Sequence, residues 1–339
     1  MNVTAGSFQN LGIAPALMGV VDALKFSEPT PIQRQAIPVA VTGRDVVGIA
    51  QTGTGKTLAF GIPMVQRLAD SQRSGLVLVP TRELAMQVNE TLTRLTPALR
   101  LRTAVLIGGE SMQAQIQRLR DNPHIIVATP GRLNDHLNQR RLRLDHVGVL
   151  VLDEADRMLD MGFFPQIERV LKALPRDRQT MLFSATLPAS IQSLAADYLR
   201  DPQRVEVAPS GTAAALVTQE MFVVSRERKP ELLGELLKDY NGSVLLFVRT
   251  KRGASRVARG LRSMGHSAAE IHADRTLPQR KNALRGFKSG EYRVLVATDI
   301  AARGIDVTGI ELVVNYDLPD DPENYVHRIG RTGRAGREG

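Results

Sequence analysis

The chain has 339 residues, a formal net charge of +9 and a pI near 10.1. Hydrophobic residues make up 43% and charged residues 23%, values of a globular protein that exclude a disordered or collagen-like chain. Cysteine is absent, which excludes disulfides, thiolate metal sites and cysteine nucleophiles. Neither a membrane-spanning apolar run nor a secretory signal is recognisable, so the sequence predicts a cytoplasmic protein without a membrane partner.

Positive charge is spread along the chain. Residues 1–217 contain 23 basic and 19 acidic residues, a net of +4, and residues 218–339 contain 21 and 16, a net of +5. A basic surface over the whole chain, rather than a basic tail, favours a polyanionic partner such as a nucleic acid.

Short apolar runs alternate with amphipathic stretches along the chain, which predicts an α/β fold with mainly parallel sheets flanked by helices. We expect strands at residues 46–49, 76–79, 104–107, 125–128, 147–152, 180–184, 244–248, 293–297 and 312–315. A Gly/Pro/Ser/Ala-rich segment suggests two domains, 1–208 and 217–339, joined by a short flexible linker at 209–216.

Almost every predicted strand ends in a small polar cluster. In open α/β sheets ligands bind outside the carboxyl ends of the strands, so these clusters are expected to line one edge of their domain.

The clearest cluster, Ala50–Thr57, is Gly-rich and contains Lys56. Its composition is typical of a phosphate-binding loop, with Lys56 on the β- and γ-phosphates and the Thr57 hydroxyl on Mg²⁺. A Gly-rich turn with an incidental lysine is disfavoured, because a cation at a helix N-terminus needs an anion.

Two other clusters suggest the chemistry of that site. Asp153-Glu-Ala-Asp156 places three carboxylates at one strand end, where they repel each other unless a cation joins them. We interpret Asp153 as a ligand of Mg²⁺ and Glu154 as the group that orients and deprotonates water. The alternative is an acidic helix N-cap. Ser184-Ala-Thr186 offers hydroxyls that could relay to a neighbouring domain, or simply cap a helix.

The segment His327–Arg334 carries Arg328, Arg331 and Arg334 at intervals of three residues. A helix would present these arginines along one side, and no acidic residue lies between them. They are interpreted as arginine fingers for a γ-phosphate, with a solvated or RNA-facing basic surface as the alternative.

Other residues suit nucleotide and RNA recognition. Phe8 could stack on a base and Gln33 could read adenine, although Phe8 considered alone is more typical of a core residue. Aromatic residues make up only 4%, so base stacking is not expected to dominate RNA binding. Loop residues that suit phosphates and 2′-hydroxyls instead predict binding with little sequence preference. These are Thr81, Arg82, Gly109, Thr129, Arg132 and Thr298.

Taken together and in this order, the motifs resemble those of the DEAD-box ATP-dependent RNA helicases of superfamily 2, in particular the small bacterial RhlE-like members. The resemblance implies two RecA-like domains that close on ATP and RNA. It implies ATP and Mg²⁺ as ligands, with Thr57 and Asp153 at the metal. ATP binding falls to Phe8, Gln33, Ala50, Gln51, Thr52, Gly53, Thr54, Gly55, Lys56, Thr57, Asp153 and Asp306.

The same resemblance assigns the remaining roles. Catalysis falls to Lys56, Glu154, Arg331 and Arg334. RNA contacts fall to Pro80, Thr81, Arg82, Gly109, Thr129, Arg132 and Thr298. Coupling between the domains falls to Asp156, Ser184, Thr186 and His327.

Two positions depart from the family pattern in the second domain. Ala273 replaces the glycine of a His-Gly-Asp element, and Leu277 replaces the first residue of a Gln-x-x-Arg element. The hydrogen bond expected from that glutamine is therefore missing, or Gln279 has taken it over.

The leading hypothesis is an RNA-stimulated ATPase that locally and non-processively separates short duplexes or remodels RNA–protein complexes. The alternatives are an ATP-gated RNA clamp with little unwinding and a DNA helicase of the same superfamily. The expected partner is single-stranded RNA or a short RNA duplex. Partner proteins or dimerisation through a C-terminal extension outside this chain are left open.

Overall fold

The computed structural model describes residues 7–24, 26, 28–51, 53–207, 217–302, 307, 309–333 and 339. The chain divides into two compact units, Met1–Ser210 and Gly211–Gly339. The predicted linker at 209–216 lies outside the described residues.

Unit 1 alternates strands and helices from its N-terminus to its C-terminus. Its elements are α1 (Pro15–Ala23), α2 (Pro31–Ala40), β1 (Val46–Ile49), α3 (Lys56–Ala69), β2 (Ser74–Leu78), α4 (Arg82–Leu95), β3 (Thr103–Leu106), α5 (Met112–Arg120), β4 (Ile125–Ala128), α6 (Pro130–Asn138), β5 (Val147–Asp153), α7 (Ala155–Asp160), α8 (Phe164–Ala173), β6 (Gln179–Ser184), α9 (Ala189–Tyr198) and β7 (Gln203–Glu206). The strands form one parallel sheet in the order β3-β4-β2-β5-β6-β1-β7.

Local sequence explains where the helices of unit 1 begin. Thr30 and Gln33 form a capping box at the start of α2, in which the Gln33 Oε1 accepts from the Thr30 N–H at 2.9 Å. Thr81 caps α4, its hydroxyl accepting from the Leu84 N–H at 3.2 Å. The central strands are buried along their whole length, as expected where helices cover both faces of a parallel sheet.

Unit 2 has the same alternation on a smaller scale. Its elements are α10 (Lys229–Asp239), β8 (Ser243–Phe247), α11 (Lys251–Ser263), β9 (Ala268–Ile271), α12 (Leu277–Ser289), β10 (Val294–Ala297), α13 (Asp299–Ala302), β11 (Ile310–Asn315) and α14 (Pro322–Ile329). The strands form a parallel sheet in the order β11-β8-β10-β9.

The predicted fold class is confirmed, and each of the nine predicted strands overlaps a strand of the structure. Sequence analysis missed β7 and β9, for physical reasons. In β7, Gln203-Arg-Val-Glu206, only Val205 is buried, so the apolar signal of an edge strand is one residue long. In β9, Ala268-Ala-Glu-Ile271, two alanines and a buried glutamate replace the usual β-branched run.

Within the described part of the chain, every helix is too short or too polar to span a lipid bilayer.

Candidate functional site

The carboxyl edge of the unit 1 sheet divides into two adjacent halves. Strands β5, β6 and β1 are neighbours, and they end at Asp153, at Ser184 and before Ala50. Strands β3, β4 and β2 are also neighbours, and they lead to Gly109, Thr129 and Thr81. We call these groups the phosphate half and the RNA half. The topology therefore separates the residues predicted for ATP from those predicted for RNA, although the sequence interleaves them.

The phosphate half begins with the loop between β1 and α3. Gly53 and Gly55 have φ angles of 86° and 90°, a left-handed conformation that other residues rarely adopt. Lys56 is 5% exposed, and its ammonium donates to the Ala50 carbonyl at 3.0 Å. The loop thus turns sharply and ends in a lysine at the start of a helix. This backbone conformation is typical of a phosphate-binding loop.

Gln33 connects α2 to this loop. Its side-chain amide donates to the Gly55 carbonyl at 3.0 Å, and a Cβ added to Gly55 would collide with that amide. The glycine is therefore required both for its φ angle and for the close approach of Gln33. Phe8 is 2% exposed, so its ring lies in the core of the N-terminal segment, and its predicted stacking on adenine stays a prediction.

Asp153 and Glu154 lie at the end of β5, both 2% exposed. Burial raises the pKa of the Asp153 carboxyl to about 6; the Glu154 carboxylate also raises it, whereas the Lys56 ammonium lowers it. Lys56 and Asp153 thus lie within electrostatic reach of each other. Glu154 has φ 53° and ψ 49°, a left-handed conformation that costs about 1–2 kcal/mol in a non-glycine residue. Such backbone strain is concentrated at functional sites.

Arg157 was not singled out from the sequence. It is 2% exposed, and its guanidinium donates to the Glu154 carboxylate at 2.7 Å. A fully buried arginine is uncommon unless it is paired. Its spacing of three residues from Glu154, the N-cap of α7, is the only signal in the sequence, and that spacing is common on solvent-exposed helices.

Asp156 joins α7 to the loop after β6. Its Oδ2 accepts from the Ala185 N–H at 3.0 Å, from the Thr186 N–H at 2.9 Å and from the Thr186 hydroxyl at 3.0 Å. The Ser184 hydroxyl accepts from the Asp156 N–H at 3.4 Å. Asp156, Ser184 and Thr186 therefore form one hydrogen-bonded unit, and their coupling role stays a prediction.

In the RNA half, Arg82 packs on the Gly108-Gly109 backbone. Gly109 has a φ of 78°, and a Cβ added to it would collide with the Arg82 guanidinium. A Cβ on Gly108 would lie 3.1 Å from the same guanidinium. The two glycines thus let Arg82, at the start of α4, pack against the loop after β3, with the arginine and the loop backbone both partly exposed. Pro80, Thr81 and Thr129 are buried beside this surface.

A network of hydrogen-bonded polar side chains links the loops of the RNA half. The Gln115 amide donates to the Ile107 carbonyl at 2.7 Å and to the Glu110 carboxylate at 3.1 Å. His136 and Gln115 are both fully buried, and the His136 Nε2 lies 3.0 Å from the Gln115 Oε1. Arg132 donates to the Glu110 carbonyl at 3.1 Å. This network ties the loops after β3 and β4 together, and sequence analysis identified only Arg132 of its members.

In unit 2, the arginine-rich segment is not one continuous helix, so the expectation of a single arginine face is wrong. Helix α14 ends at Ile329, and Arg331 follows it. Arg328 is buried; it forms a bidentate pair with Asp299 at 2.6 and 2.7 Å and lies 4.9 Å above the Phe247 ring. Arg328 is therefore part of the unit 2 core. Arg331 is 3% exposed.

Other predicted site residues are partly exposed, are exposed or lie outside the described residues. Thr298 follows β10 and His327 lies on α14, both partly exposed. Thr52, Asp306 and Arg334 lie outside the described residues. Gln51 is exposed, and the Thr54 hydroxyl donates to the Gln51 carbonyl at 2.7 Å.

The chain matches two family patterns that together cover most of its length. Residues 30–194 match the family described as DEAD/DEAH box helicase, and residues 228–336 match the helicase conserved C-terminal domain. The chain belongs to the DEAD-box helicase family. This DEAD-box chain spans both units of the fold, and the matched ranges contain the phosphate half, the RNA half and the unit 2 sheet.

Curated relatives of this DEAD-box chain are longer than the chain itself. It is 45% identical over 335 residues to the ATP-dependent RNA helicase CshA of Listeria monocytogenes, covering 98% of the chain but only 64% of that protein. It is 45% identical to the CshA protein of Geobacillus kaustophilus, covering 98% and 72%. The RhlE-like subtype stays a prediction.

Solved structures agree with the RecA-like expectation for the DEAD-box fold. The structure of S. cerevisiae Dbp5 bound to RNA and ADP BeF3 covers 99% of this chain at 34% identity and a TM-score of 0.89. A DEAD box protein from Methanococcus jannaschii covers 98% of the chain at 38% identity and a TM-score of 0.59.

The departure at Leu277 from the DEAD-box pattern has a local explanation. Gln279 forms a capping box at the start of α12, its Oε1 accepting from the Thr276 N–H at 3.0 Å. Leu277 is 6% exposed and packs into unit 2. Gln279 is therefore engaged in capping the helix. Arg280 is buried, with its Nη1 3.5 Å from the His272 carbonyl.

Proposed function

We propose that this chain hydrolyses ATP to ADP and phosphate in an RNA-stimulated reaction and uses the cycle to separate short RNA duplexes or remodel RNA–protein complexes. The observation that carries the proposal is the division of one sheet edge into a phosphate half and an adjacent RNA half. Ligands on neighbouring strands of one rigid sheet can influence each other through the shared backbone.

Nucleotide binding falls to the phosphate half. The Gln33 amide recognises adenine beside Phe8, the backbone N–H groups of residues 50–55 surround the phosphates, and Lys56 contacts the β- and γ-phosphates. Thr57 and the buried Asp153 fit Mg²⁺, because this ion uses few protein oxygens and keeps phosphate oxygens and waters. When bound, Mg²⁺ supplies neutralisation of the phosphate charge.

Hydrolysis requires an activated water. Glu154 orients a water in line with the γ-phosphorus and accepts its proton as the new P–O bond forms. The bond to the bridging oxygen breaks and its electron pair stays on ADP. Arg331 and Arg334 of unit 2 stabilise the charge that develops on the transferred phosphoryl group.

RNA binding falls to the RNA half of unit 1 and to Thr298 of unit 2. Gly109, Thr129 and Arg132 offer backbone and side-chain donors to phosphates and 2′-hydroxyls, so single-stranded RNA is bound with little sequence preference. Asp156, Ser184, Thr186 and His327 couple this binding to closure of the two domains, which separates short duplexes locally and non-processively. The protein acts in the cytoplasm.

Steady-state ATPase activity with and without single-stranded RNA, and with DNA of the same sequence, tests the proposal. We expect strong stimulation by RNA, none by DNA, and no turnover in the Lys56→Ala variant. ATPase activity that RNA does not change would contradict the proposal. An RNA-stimulated enzyme that fails to separate a short duplex would instead be an ATP-gated clamp.

A further inference from the structure

The sequence between Asp239 and Glu270 has an unusual charge composition. Residues 240–269 contain six basic residues and no acidic residue. Five of the six lie on α11, whose sequence is Lys-Arg-Gly-Ala-Ser-Arg-Val-Ala-Arg-Gly-Leu-Arg-Ser. A solvated helix usually mixes both signs of charge, so this composition calls for a physical explanation.

Three of these arginines form a stripe on the exposed side of α11. Arg252, Arg256 and Arg259 are all exposed, whereas Ala254 and Ala258 on the opposite side are buried. At 3.6 residues per turn the three arginines fall within an arc of about 60°, and they span about 10 Å along the axis. We call this set the arginine stripe.

The arginine stripe destabilises its own helix. Like charges three and four residues apart cost about 0.2–0.5 kcal/mol per pair, and basic residues in a first turn oppose the helix dipole. The neighbouring basic residues are compensated: Lys251 pairs with Asp274 at 2.7 Å and Arg262 lies 3.8 Å from Glu270. Arg252 is within electrostatic reach of Asp274, but no carboxylate in the described parts of the chain lies within 4 Å of the three guanidinium groups.

The stripe starts at the edge of unit 2 that carries the predicted RNA contact. Helix α11 follows β8, whose carboxyl end lies beside that of β10, where Thr298 is located. Burial raises the pKa of the Tyr316 hydroxyl, Asp317 raises it further, and the Arg256 and Arg226 guanidinium groups lower it. Arg256 is therefore near the end of β11 at the same edge. The stripe runs from this edge along the exposed side of α11.

We propose that the arginine stripe Arg252, Arg256 and Arg259 binds phosphates of RNA that extends beyond the strand held at the carboxyl edges. The inference rests on the proposed RNA-dependent function and adds a second contact surface to it. Guanidinium groups in a row bind backbone phosphates without reading bases, so this surface adds affinity and salt dependence but no sequence preference.

The test compares a stripe variant, Arg252→Gln/Arg256→Gln/Arg259→Gln, with the unaltered chain and with a matched control. The control, Arg120→Gln/Arg141→Gln/Arg176→Gln, removes the same charge from exposed positions that precede strands at the opposite edge of unit 1. RNA affinity is measured by fluorescence anisotropy against salt concentration. Two RNAs are used: the shortest single strand that stimulates ATPase activity, and one twice that length.

For the longer RNA, the stripe variant is expected to lower the slope of log affinity against log salt by about 2, since each single-strand phosphate contact contributes about 0.7. Arg256→Gln alone is expected to lower it by about 0.7. The short RNA should bind and stimulate as before, and the control should keep the slope of the unaltered chain.

An unchanged slope in the stripe variant, or an equal fall in the control, would overturn the stripe proposal. Either result is distinct from failure of the proposed function, in which the unaltered chain shows no RNA stimulation at all. ATPase activity without RNA and the unfolding temperature check that both triple variants are folded.

Discussion

The two halves of the unit 1 sheet edge differ in the type of group that they present and in how far these groups are exposed to solvent. In the phosphate half the key side chains are charged and 5% exposed or less; they are Lys56, Asp153, Glu154, Asp156 and Arg157. In the RNA half the groups near solvent are a glycine pair and partly exposed arginines. One half holds charges away from water, and the other presents backbone and guanidinium groups to it.

This difference agrees with what each proposed ligand demands. Charges that act on a developing transition state are most effective when they are held rigidly and away from water. A nucleic-acid strand needs an accessible surface, and its phosphates can be bound by backbone N–H groups and arginines. The loops of the RNA half are nevertheless tied together, because the buried Gln115 and His136 and the partly exposed Glu110 form one hydrogen-bonded network.

The largest expected effect comes from Glu154→Gln. The amide has the same shape but cannot accept a proton from water, so kcat should fall by about 10²-fold or more while ATP still binds. Steady-state ATPase activity and nucleotide binding measure the two quantities separately.

The matched control for this prediction is Glu168→Gln on α8. It makes the same chemical change in a surface pair with Lys172, which contributes little to stability. Turnover of Glu154→Gln equal to that of the control would remove Glu154 from the role of base.

The second prediction concerns Arg157→Gln, which removes the guanidinium that contacts the buried Glu154 carboxylate. Breaking a buried ion pair from one side costs about 3–5 kcal/mol, because a charge is left in the interior. The unfolding temperature should fall on the order of 10 °C. Turnover should fall as well, because Glu154 loses a group that orients it.

A double-variant cycle separates the pair from a general packing defect. The variant Glu154→Gln/Arg157→Gln removes both charges, so it should regain much of the stability that Arg157→Gln loses. Additive losses in the double variant would show that Arg157 stabilises the fold independently of Glu154.

The sequence predicts best those features that need particular residue types at neighbouring positions. The Gly-rich loop around Lys56, the carboxylates of Asp153 and Glu154 and the apolar strand runs all have local signatures. The order of strands in the sheet has none. The division into two halves therefore emerged only when β2, β3 and β4 were found together on one side of β5.

Supporting residues escaped sequence reasoning because their partners are distant in the chain or ambiguous. Gln115 and His136 are ordinary helical polar residues until tertiary packing buries both and brings them together. The spacing of Arg328 predicts one member of a repeating set of arginines, yet its partner Asp299 lies 29 residues away. Helix α14 ends at Ile329 between the repeats, which local periodicity did not predict.

The third prediction tests the RNA half with Gly109→Ala. Alanine at a φ of 78° costs about 1–2 kcal/mol, and its Cβ would also displace the Arg82 guanidinium. RNA affinity should fall roughly tenfold, as expected for a loss of about 1.4 kcal/mol. ATP binding should be unchanged.

Gly162→Ala is the control for that prediction. Gly162 has a similar φ of 74°, but a Cβ there would have nothing within 4 Å. Both variants thus carry a similar backbone strain, but only Gly109→Ala displaces an arginine side chain. An equal loss of RNA affinity in both variants would mean that strain in unit 1, rather than the contact between Arg82 and Gly109, limits RNA binding.

The smallest expected effect returns to the phosphate half. Thr186→Val removes one of three donors to the Asp156 Oδ2, and the N–H groups of Ala185 and Thr186 remain. One hydrogen bond contributes about 0.5–1.5 kcal/mol, so RNA-stimulated kcat should fall less than about tenfold. Thr186→Ser keeps the hydroxyl and should restore the rate. The contrary outcome is that valine abolishes turnover while serine restores it. In that case the Thr186 hydroxyl would do more than position Asp156, and turnover would depend on this hydroxyl as well as on the buried charges of the phosphate half.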